Sequence, residues 1–240
     1  MYTTFEVIAI TETFLKPNDS DYHLQLPGFN FFRQDRLGKE GSGVALYIRE
    51  HWKVSLIAQY DPKYDNIPEY MIAKLKHTKN NIIIAVVYRR PHAAAPFEFF
   101  EKLSNFLTSH TKIIITGDFN ADLQSTQLAD TRTLKDIIKT HALSFVSFAP
   151  THHLLHENHQ SHTTLDLFIT RKTQSLTSFS QSESPFIAGH DFIELSIPYR
   201  TPRPPPRTIT SRCLSKMPAG QILTALLPKL QPLSNNLALS

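Results

Sequence analysis

Residues 81–88 read NIIIAVVY, an almost unbroken run of apolar and β-branched side chains. The run does not alternate with polar residues, so a strand formed here is expected to be covered on both of its faces. The rest of the chain must then supply layers on both sides of this strand. A layered fold is therefore the first expectation for this sequence.

The same kind of periodicity predicts further strands and helices along the chain. Strands are predicted at residues 5–10, 43–48, 112–116, 164–170 and 192–197. One helix opens at Pro96, with Phe99 and Leu103 on one face, and a second begins near Thr131 with Leu134 facing inward. Four phenylalanines of the first helix are predicted to be core residues: Phe97, Phe99, Phe100 and Phe106. Buried strands mixed with helices predict an α/β or α+β sandwich.

Composition excludes several classes of protein. Of the 240 residues, 41% are hydrophobic and 19% are charged, which is enough apolar surface for a real core. The net charge of +4 permits a polyanionic partner without requiring one. A single cysteine, Cys213, excludes an internal disulfide framework and a cysteine-based zinc site. The longest aliphatic runs are too short to cross a bilayer, and the first residues do not form a signal peptide, so we expect an intracellular protein.

The chain is expected to divide near residue 199. Residues 200–207 read RTPRPPPR, which favours extended polyproline conformation, and the rest of the chain is rich in Ser, Leu and Pro. We predict a folded domain at residues 1–199, followed by a Pro-rich linker and disordered tail at residues 200–240.

Polar side chains stand at the ends of, or within, the predicted strands. They are Glu12, Asp118, Asn120, Asp166 and His190. In a layered α/β protein such groups gather along one rim of the sheet, where ligands usually bind. Glu12 and Asp118 offer the carboxylate oxygens that a hard cation such as Mg²⁺ prefers. His190 can move the proton of an attacking water, and Asp166 can fix its tautomer.

Tyr88, Arg89 and Arg90 follow the buried strand and offer a hydroxyl and two cations for phosphate contacts. Together with the carboxylates and the histidine, they fit metal-assisted hydrolysis of a phosphodiester or phosphomonoester. Each residue alone has a plainer interpretation, since a carboxylate after a strand is more often a turn residue or a helix cap.

The motifs that carry these residues occur in a characteristic order. They are TET at 11–13, RQDR at 33–36 with GSGVALY at 41–47, VYRRP at 87–91, GDFNA at 117–121, PT at 150–151 with TLDL at 164–167, and IAGHDFI at 187–193. In this order, the set resembles the endonuclease/exonuclease/phosphatase superfamily. More narrowly, it resembles the endonuclease domain of a non-LTR retrotransposon polyprotein of the LINE or jockey-like kind.

The resemblance implies a four-layered sandwich of two packed mixed β-sheets flanked by helices. It also implies a Mg²⁺-dependent DNA endonuclease, with Mn²⁺ as an alternative ion. In such elements the domain nicks target DNA and leaves an end that primes reverse transcription. DNA is therefore the implied partner, with a following reverse transcriptase domain in an intact element. No membrane and no further cofactor are implied, and action on chromosomal DNA would place the protein in the nucleus.

By position, the resemblance also assigns roles to single residues. The metal ligands would be Glu12 and Asp118, and the catalytic residues would be Asp118, Asn120, Asp166, His190 and Tyr88. The nucleic-acid contacts would be Arg33, Arg36, Arg89, Arg90 and Thr151. For any one of the arginines, a solvated basic face is an equal alternative.

Two departures from the family pattern bear on activity. The last motif usually reads Ser-Asp-His, and here Gly189 stands where the family has aspartate. The resemblance implies that this aspartate shares in handling the metal or the water, so we expect Gly189→Asp to raise the rate by restoring its negative charge. Asp191 is not expected to stand in for it, because successive residues of a strand point to opposite faces. The family's first strand, which ends in an asparagine, is expected to be missing, so the chain would be truncated at its N-terminus and would have an exposed sheet edge.

Alternatives therefore remain. The chain can be a catalytically dead remnant that binds nucleic acid or has no function, or a phosphatase acting on lipid or inositol phosphates. Residues 152–162 hold five histidines, and we expect a variable loop there rather than a zinc site.

Overall fold

The structure is a computed structural model that describes residues 5–37, 41–64, 66–77, 80–110, 112–146, 148–156, 159–184 and 189–198. The predicted tail at 200–240 and residues 187–188 of the last motif lie outside these ranges. Within the described ranges, no helix is long and apolar enough to span a membrane.

Thirteen strands and two α-helices form the described part of the chain. The strands are β1 Val7–Thr11, β2 Phe29–Gln34, β3 Val44–Arg49, β4 Lys53–Gln59, β5 Glu69–His77, β6 Asn80–Tyr88, β7 Lys112–Asp118, β8 Leu143–Phe145, β9 His152–His156, β10 His159–Thr163, β11 Asp166–Arg171, β12 Ser178–Glu183 and β13 Asp191–Ser196. The helices are α1 Phe97–Leu107 and α2 Ala129–Thr140, and a short 3-10 helix covers Asp21–Leu24.

A six-stranded mixed sheet forms the centre of the fold, in the order β4-β5-β6-β7-β11-β8. In this sheet, β6 and β7 pair in parallel and the other neighbouring strands pair antiparallel. Helix α1 makes the crossover between β6 and β7. A three-stranded sheet in the order β1-β3-β2 packs against it, and two hairpins, β9–β10 and β12–β13, complete the described strands.

The two faces of β6 enter two different cores, as the predicted run of apolar residues requires. Ile83, Ala85 and Val87 pack with the helices, whereas the alternate residues Ile82 and Ile84 pack in the core between the two sheets. Because side chains alternate along a strand, a continuous apolar run serves two interfaces at once. The predicted α/β (α+β) sandwich of packed mixed sheets and helices is confirmed.

The helices confirm most of the predicted core, with one correction. Phe99, Phe100 and Leu103 are buried, and Phe106 packs partly against them. The prediction was wrong for Phe97, which is 61% exposed. This residue is the first of α1 and points away from the sheet, because helical spacing cannot bring it onto the same stripe as Phe99 and Leu103.

The histidine-rich segment is also different from the prediction. Instead of a loop, it forms the hairpin β9–β10, in which His153 lies opposite His162 and His152 lies opposite Thr163. The hairpin is tied to the last motif by a backbone bridge between His152 and His190. It therefore lies beside the predicted site.

Candidate active site

The register of three neighbouring strands brings three predicted site residues into one row. Tyr88 at the end of β6 lies opposite Asp118 of β7, and Asp118 lies opposite Asp166 of β11. Residues paired directly across a sheet point to the same face, which here is the face between the two sheets. Gly117 permits the close contact of β6 and β7 at this point, since a Cβ there would lie 1.8 Å from the Val87 carbonyl oxygen.

Glu12 enters the site from the smaller sheet. It directly follows β1, and the Tyr88 hydroxyl donates a hydrogen bond to its Oε1. The backbone of Glu12 is left-handed, with φ of 53°. A non-glycine residue rarely adopts this conformation, so the surrounding contacts must hold it.

Asn120 fixes the orientation of Asp118. Its backbone N–H donates to Asp118 Oδ1 at 2.8 Å, and its side-chain amide donates to Asp118 Oδ2 at 3.1 Å and to the Arg89 carbonyl at 2.7 Å. The backbone of Asn120 is also left-handed, with φ of 44°, which asparagine tolerates better than most residues. Both hydrogens of the amide are used, which leaves its carbonyl oxygen to accept from a water.

His190 is paired with Asp166, as the sequence predicts. The two side chains meet at 3.0 Å between His190 Nδ1 and Asp166 Oδ2. An ionised carboxylate only accepts, so Nδ1 is the donor and Nε2 is the free position of the neutral ring. The strand carrying Asp166 begins at a buried anchor, because Thr151 Oγ1 accepts from the backbone N–H groups of Leu165 and Asp166.

The electrostatics of the cluster favour protons or cations. Burial, and then the charge of Asp166, raises the pKa of Asp118 from 3.8 to about 7. The hydrogen bond with Asp166 raises the pKa of His190, against the effect of burial. Burial and the hydrogen bond with Glu12 raise the pKa of Tyr88, so that the hydroxyl stays protonated and donates. The site therefore holds more negative charge than its own groups neutralise.

The donor set fits a divalent ion. Ligand atoms of Asp118, Asp166 and His190 all lie within 4.8 Å of one another. Glu12 lies outside this group of three, but its charge acts on Asp118. With Glu12 included, the donors are mainly carboxylate oxygens. Such oxygens suit Mg²⁺ or Mn²⁺, and the raised pKa of Asp118 is the shift that a bound cation would reverse.

Three of the five predicted nucleic-acid contacts are buried, namely Thr151, Arg89 and Arg36. Thr151 is fully buried and its hydroxyl is used by backbone N–H groups. Arg89 is 3% exposed, and its guanidinium donates to the carbonyls of Ala93, Ala94, Phe119 and Asn120 and to Asp130. Arg89 braces the loop directly after Asp118, and Thr151 braces the segment directly before Asp166. Neither presents a donor to a ligand outside the protein.

The other three predicted arginines differ in their surroundings. Arg33 is engaged by the Asp19 carbonyl and by the carboxylates of Asp21 and Asp35. Arg36 is buried and donates to the Ser42 hydroxyl at 3.4 Å. Arg90 is half-buried, and its Nε meets no hydrogen-bond partner among the described residues.

Gly189 is held in a conformation that disfavours the family's aspartate. Its φ is +86°, and a Cβ there would lie 3.1 Å from the His153 carbonyl oxygen. The expectation that Gly189→Asp would raise the rate therefore loses its basis, since the side chain would be strained. Asp191 offers no replacement, because its carboxylate is bound by His153 and Gln181.

Two residues that the sequence analysis missed belong to this region. Glu69 of β5 lies opposite Tyr88 and extends the polar row to a fourth strand, although it is only 3% exposed. The sequence could have indicated Glu69, because it is an acidic residue at the start of the otherwise apolar strand β5. The ring of His152 contacts the ring of His190, with centroids 4.5 Å apart. The position of His152 directly after the Pro-Thr motif could have indicated that it lies near the site.

The sequence itself matches the endonuclease/exonuclease/phosphatase family over residues 3–212. The chain belongs to this family. The match extends past the predicted domain boundary at residue 199 and covers all of the motifs described above. A search of curated proteins finds no match.

Solved structures of the family have the same fold. The endonuclease domain of TRAS1, a telomere-specific non-LTR retrotransposon, superimposes with a TM-score of 0.58 at 14% identity, covering 73% of this chain and 83% of that one. The 3′ phosphatase NExo from Neisseria, bound to a product DNA hairpin, gives 0.57 at 13% identity with 81% and 89% coverage. The human Nocturnin catalytic domain gives 0.54 at 14% identity with 80% and 81% coverage.

Proposed function

We propose that this chain is a divalent-metal-dependent DNA endonuclease of retrotransposon origin. The observation that carries the proposal is the convergence of Glu12, Tyr88, Asp118, Asp166 and His190 at one end of the facing sheets. The order of the motifs along the chain supports the retrotransposon branch, and the fold shared with the TRAS1 domain agrees with it. Mg²⁺ is the proposed ion and Mn²⁺ the alternative.

Each side chain has a chemical task in phosphodiester hydrolysis. Glu12 and Asp118 would hold the ion, which would supply positive charge for the phosphate and lower the pKa of the attacking water. The Tyr88 hydroxyl keeps the Glu12 carboxylate in place. Asn120 orients Asp118 and presents its amide oxygen to the attacking water. His190, held by Asp166, exchanges a proton or donates to the phosphate through Nε2.

DNA is the proposed substrate and the nucleus the proposed place of action. The first comparison structure comes from a retrotransposon, and the NExo structure holds a DNA product. In an intact element, a reverse transcriptase domain following the nuclease would extend the end that it leaves. The net charge of +4 is compatible with a salt-dependent attraction to phosphate.

Nicking of supercoiled plasmid tests the proposal. The wild-type chain is incubated with Mg²⁺, with Mn²⁺ and with a chelator, beside Asp118→Ala and His190→Ala. We expect metal-dependent conversion to open circles by the wild type and a loss of about 10² or more in the variants. Equal nicking by all three proteins, or nicking in chelator, would contradict the proposal.

One observation favours the alternative of a non-catalytic remnant that binds nucleic acid. Gly189 supplies no side chain to the cluster, and Asp191 is turned toward His153 and Gln181. Salt-dependent DNA binding without metal-dependent nicking would favour the remnant over the enzyme.

A further inference from the structure

We infer that Glu69 is a positioning residue for Glu12, acting through the turn at Ser42 and Gly43; this rests on the proposed metal-dependent function. Glu69 shares a face of β5 with Met71 and Leu75, which lie in the apolar core between the sheets. A carboxylate buried in such a place needs specific partners.

Glu69 is hydrogen-bonded to the turn of the smaller sheet that comes just before β3. Its Oε2 accepts the backbone N–H of Gly43 at 2.7 Å. The Ser42 side chain and the charge of Arg36 also stabilise the carboxylate, although burial is the largest influence and raises its pKa. Glu69 thus ties the strand that borders Tyr88 to the turn just before β3.

The same turn also binds the two residues that directly follow Glu12. The backbone N–H of Thr13 donates to the Gly43 carbonyl at 3.2 Å, and that of Phe14 donates to the Ser42 carbonyl at 2.9 Å. A Cβ on Gly43 would lie 2.4 Å from Thr13 Oγ1 and would force this side chain to shift. The φ of +93° at Gly43 also favours glycine.

Both segments are in conformations that need support. The φ values are 53° at Glu12, 56° at Phe14 and 76° at Ser42, all in the left-handed region. A non-glycine residue in this region is strained and persists only where its contacts hold it. The hydrogen bond from Gly43 to Glu69 joins this strained pair of segments to the central sheet through their backbone, beside the side-chain bond of Glu12 with Tyr88.

A carboxylate that acts in this way controls metal affinity without touching the metal. Without it, Gly43 N–H loses its acceptor, the turn loosens, and Glu12 samples other conformations. Removing a group that orients a ligand typically weakens metal binding by about 10–100-fold. A residue that only stabilised the fold would lower the melting temperature and leave the metal affinity of the folded protein unchanged.

Mn²⁺ binding to the full chain, followed by electron paramagnetic resonance, tests the inference. Glu69→Ala is expected to weaken binding by about tenfold or more. Glu69→Gln keeps an oxygen within reach of Gly43 N–H and should bind Mn²⁺ nearly as the wild type does. Glu69→Asp keeps the charge but withdraws the oxygen, and should bind clearly more weakly than Glu69→Gln. The comparison of Glu69→Gln with Glu69→Asp tests the inference even if Glu69→Ala does not fold.

Leu75→Ala is the matched control. Leu75 is buried on the same face of β5 as Glu69, six residues further along the strand from the turn at Ser42 and Gly43. It should lower stability and leave Mn²⁺ affinity unchanged. Amide hydrogen exchange gives a readout that is independent of metal: Gly43, Thr13 and Phe14 should exchange faster in Glu69→Asp and not in Leu75→Ala.

The outcomes separate the two proposals. Wild type that binds no Mn²⁺ would overturn the metal-dependent function and this inference together. Wild type that binds Mn²⁺, with Glu69→Asp binding as tightly as Glu69→Gln, would overturn the inference alone. A loss in Leu75→Ala as large as in the Glu69 variants would do the same, since it would reduce Glu69 to a general stabiliser.

Discussion

At the scale of single residues, Asp118 shows how the site stores unneutralised charge. It is 4% exposed and lies directly opposite Asp166, so its ionised form is disfavoured by burial and by repulsion. The compensating hydrogen bonds from Asn120 only partly offset these effects. A divalent ion would remove the penalty, and a proton does so in its absence.

This charge predicts how stability depends on pH. A group whose pKa is raised by folding binds its proton more tightly in the folded state, so stability falls as the pH rises through that range. For Asp118 the range runs from 3.8 to about 7, and for His190 it lies at and above 6.5. In chelator, we expect the free energy of unfolding to fall by roughly 1–3 kcal/mol between pH 5 and pH 8.

Denaturation curves with and without Mg²⁺ provide the measurement. The ion should restore more stability at pH 8 than at pH 5, because at low pH it competes with the proton on Asp118. Asp118→Asn should flatten the profile in chelator. A stability profile that is flat in the wild type, or unchanged in Asp118→Asn, would show that folding does not disfavour the ionised form of Asp118.

The buried hydroxyl of Thr151 is expected to stabilise the start of β11. Its fully buried hydroxyl accepts two backbone N–H groups, so Thr151→Val would leave both without an acceptor. We expect a loss of about 1–3 kcal/mol in chemical denaturation. Thr151→Ser keeps the oxygen and should lose less. If Thr151→Val is as stable as the wild type but binds DNA more weakly, then the nucleic-acid contact suggested by the sequence is the true role.

At the scale of elements, the turn before β13 determines what the last motif can contribute. Gly189 lies at φ +86° against the His153 carbonyl, and His190 follows in a bridge to His152 of β9. The histidine-rich hairpin therefore fixes the position of His190. Its strands were not foreseen, because the sequences HHLLH and HQSHT contain few β-branched or aromatic residues and do not alternate between apolar and polar side chains.

Gly189→Asp tests this account of the turn. The substitution should destabilise the protein by about 1–2 kcal/mol, because an L side chain is strained at this φ. Its nicking rate should not exceed that of the wild type. Gly189→Ala is the control with the same backbone strain and no carboxylate. A Gly189→Asp protein that is as stable as the wild type and nicks faster would restore the original expectation from the motif.

The strands that carry the site were predictable, and their side-chain environments were not. Residues 81–88 and 112–116 were identified from apolar runs, and these runs end at Tyr88 and just before Asp118. Arg89 next to them was expected at the surface. It is buried because four carbonyl oxygens of two loops and the Asp130 carboxylate of α2 surround its guanidinium. Such a set of acceptors is formed only by the folded chain and leaves no local pattern in the sequence.

At the scale of the whole molecule, the site exists because two sheets meet at one end. The central sheet supplies Tyr88, Asp118 and Asp166, and the smaller sheet supplies Glu12. Motif order was enough to predict that these residues converge. The cross-strand row and the role of Glu69 were not predictable, because a register shifted by one residue would turn these side chains to the other face.

The domain boundary near residue 199 remains a prediction. Ile197 packs in the core between the sheets, and Lys112 Nζ donates to the Pro198 carbonyl, so the fold requires the chain at least to this point. We expect a chain ending at residue 199 to melt within roughly 2 °C of the full chain. A large loss of stability would move the boundary toward residue 212, where the family match ends.

We propose that the clustered carboxylates and His190 hydrolyse DNA with the help of a divalent ion. Single-turnover nicking of a supercoiled plasmid, titrated with Mg²⁺ and compared among wild type, Asp118→Asn and Asp166→Asn, tests it most directly. The account predicts saturable, metal-dependent nicking by the wild type and a rate lower by about 10² or more in both variants. A wild-type chain that binds DNA yet never nicks it at any Mg²⁺ or Mn²⁺ concentration would contradict the claim.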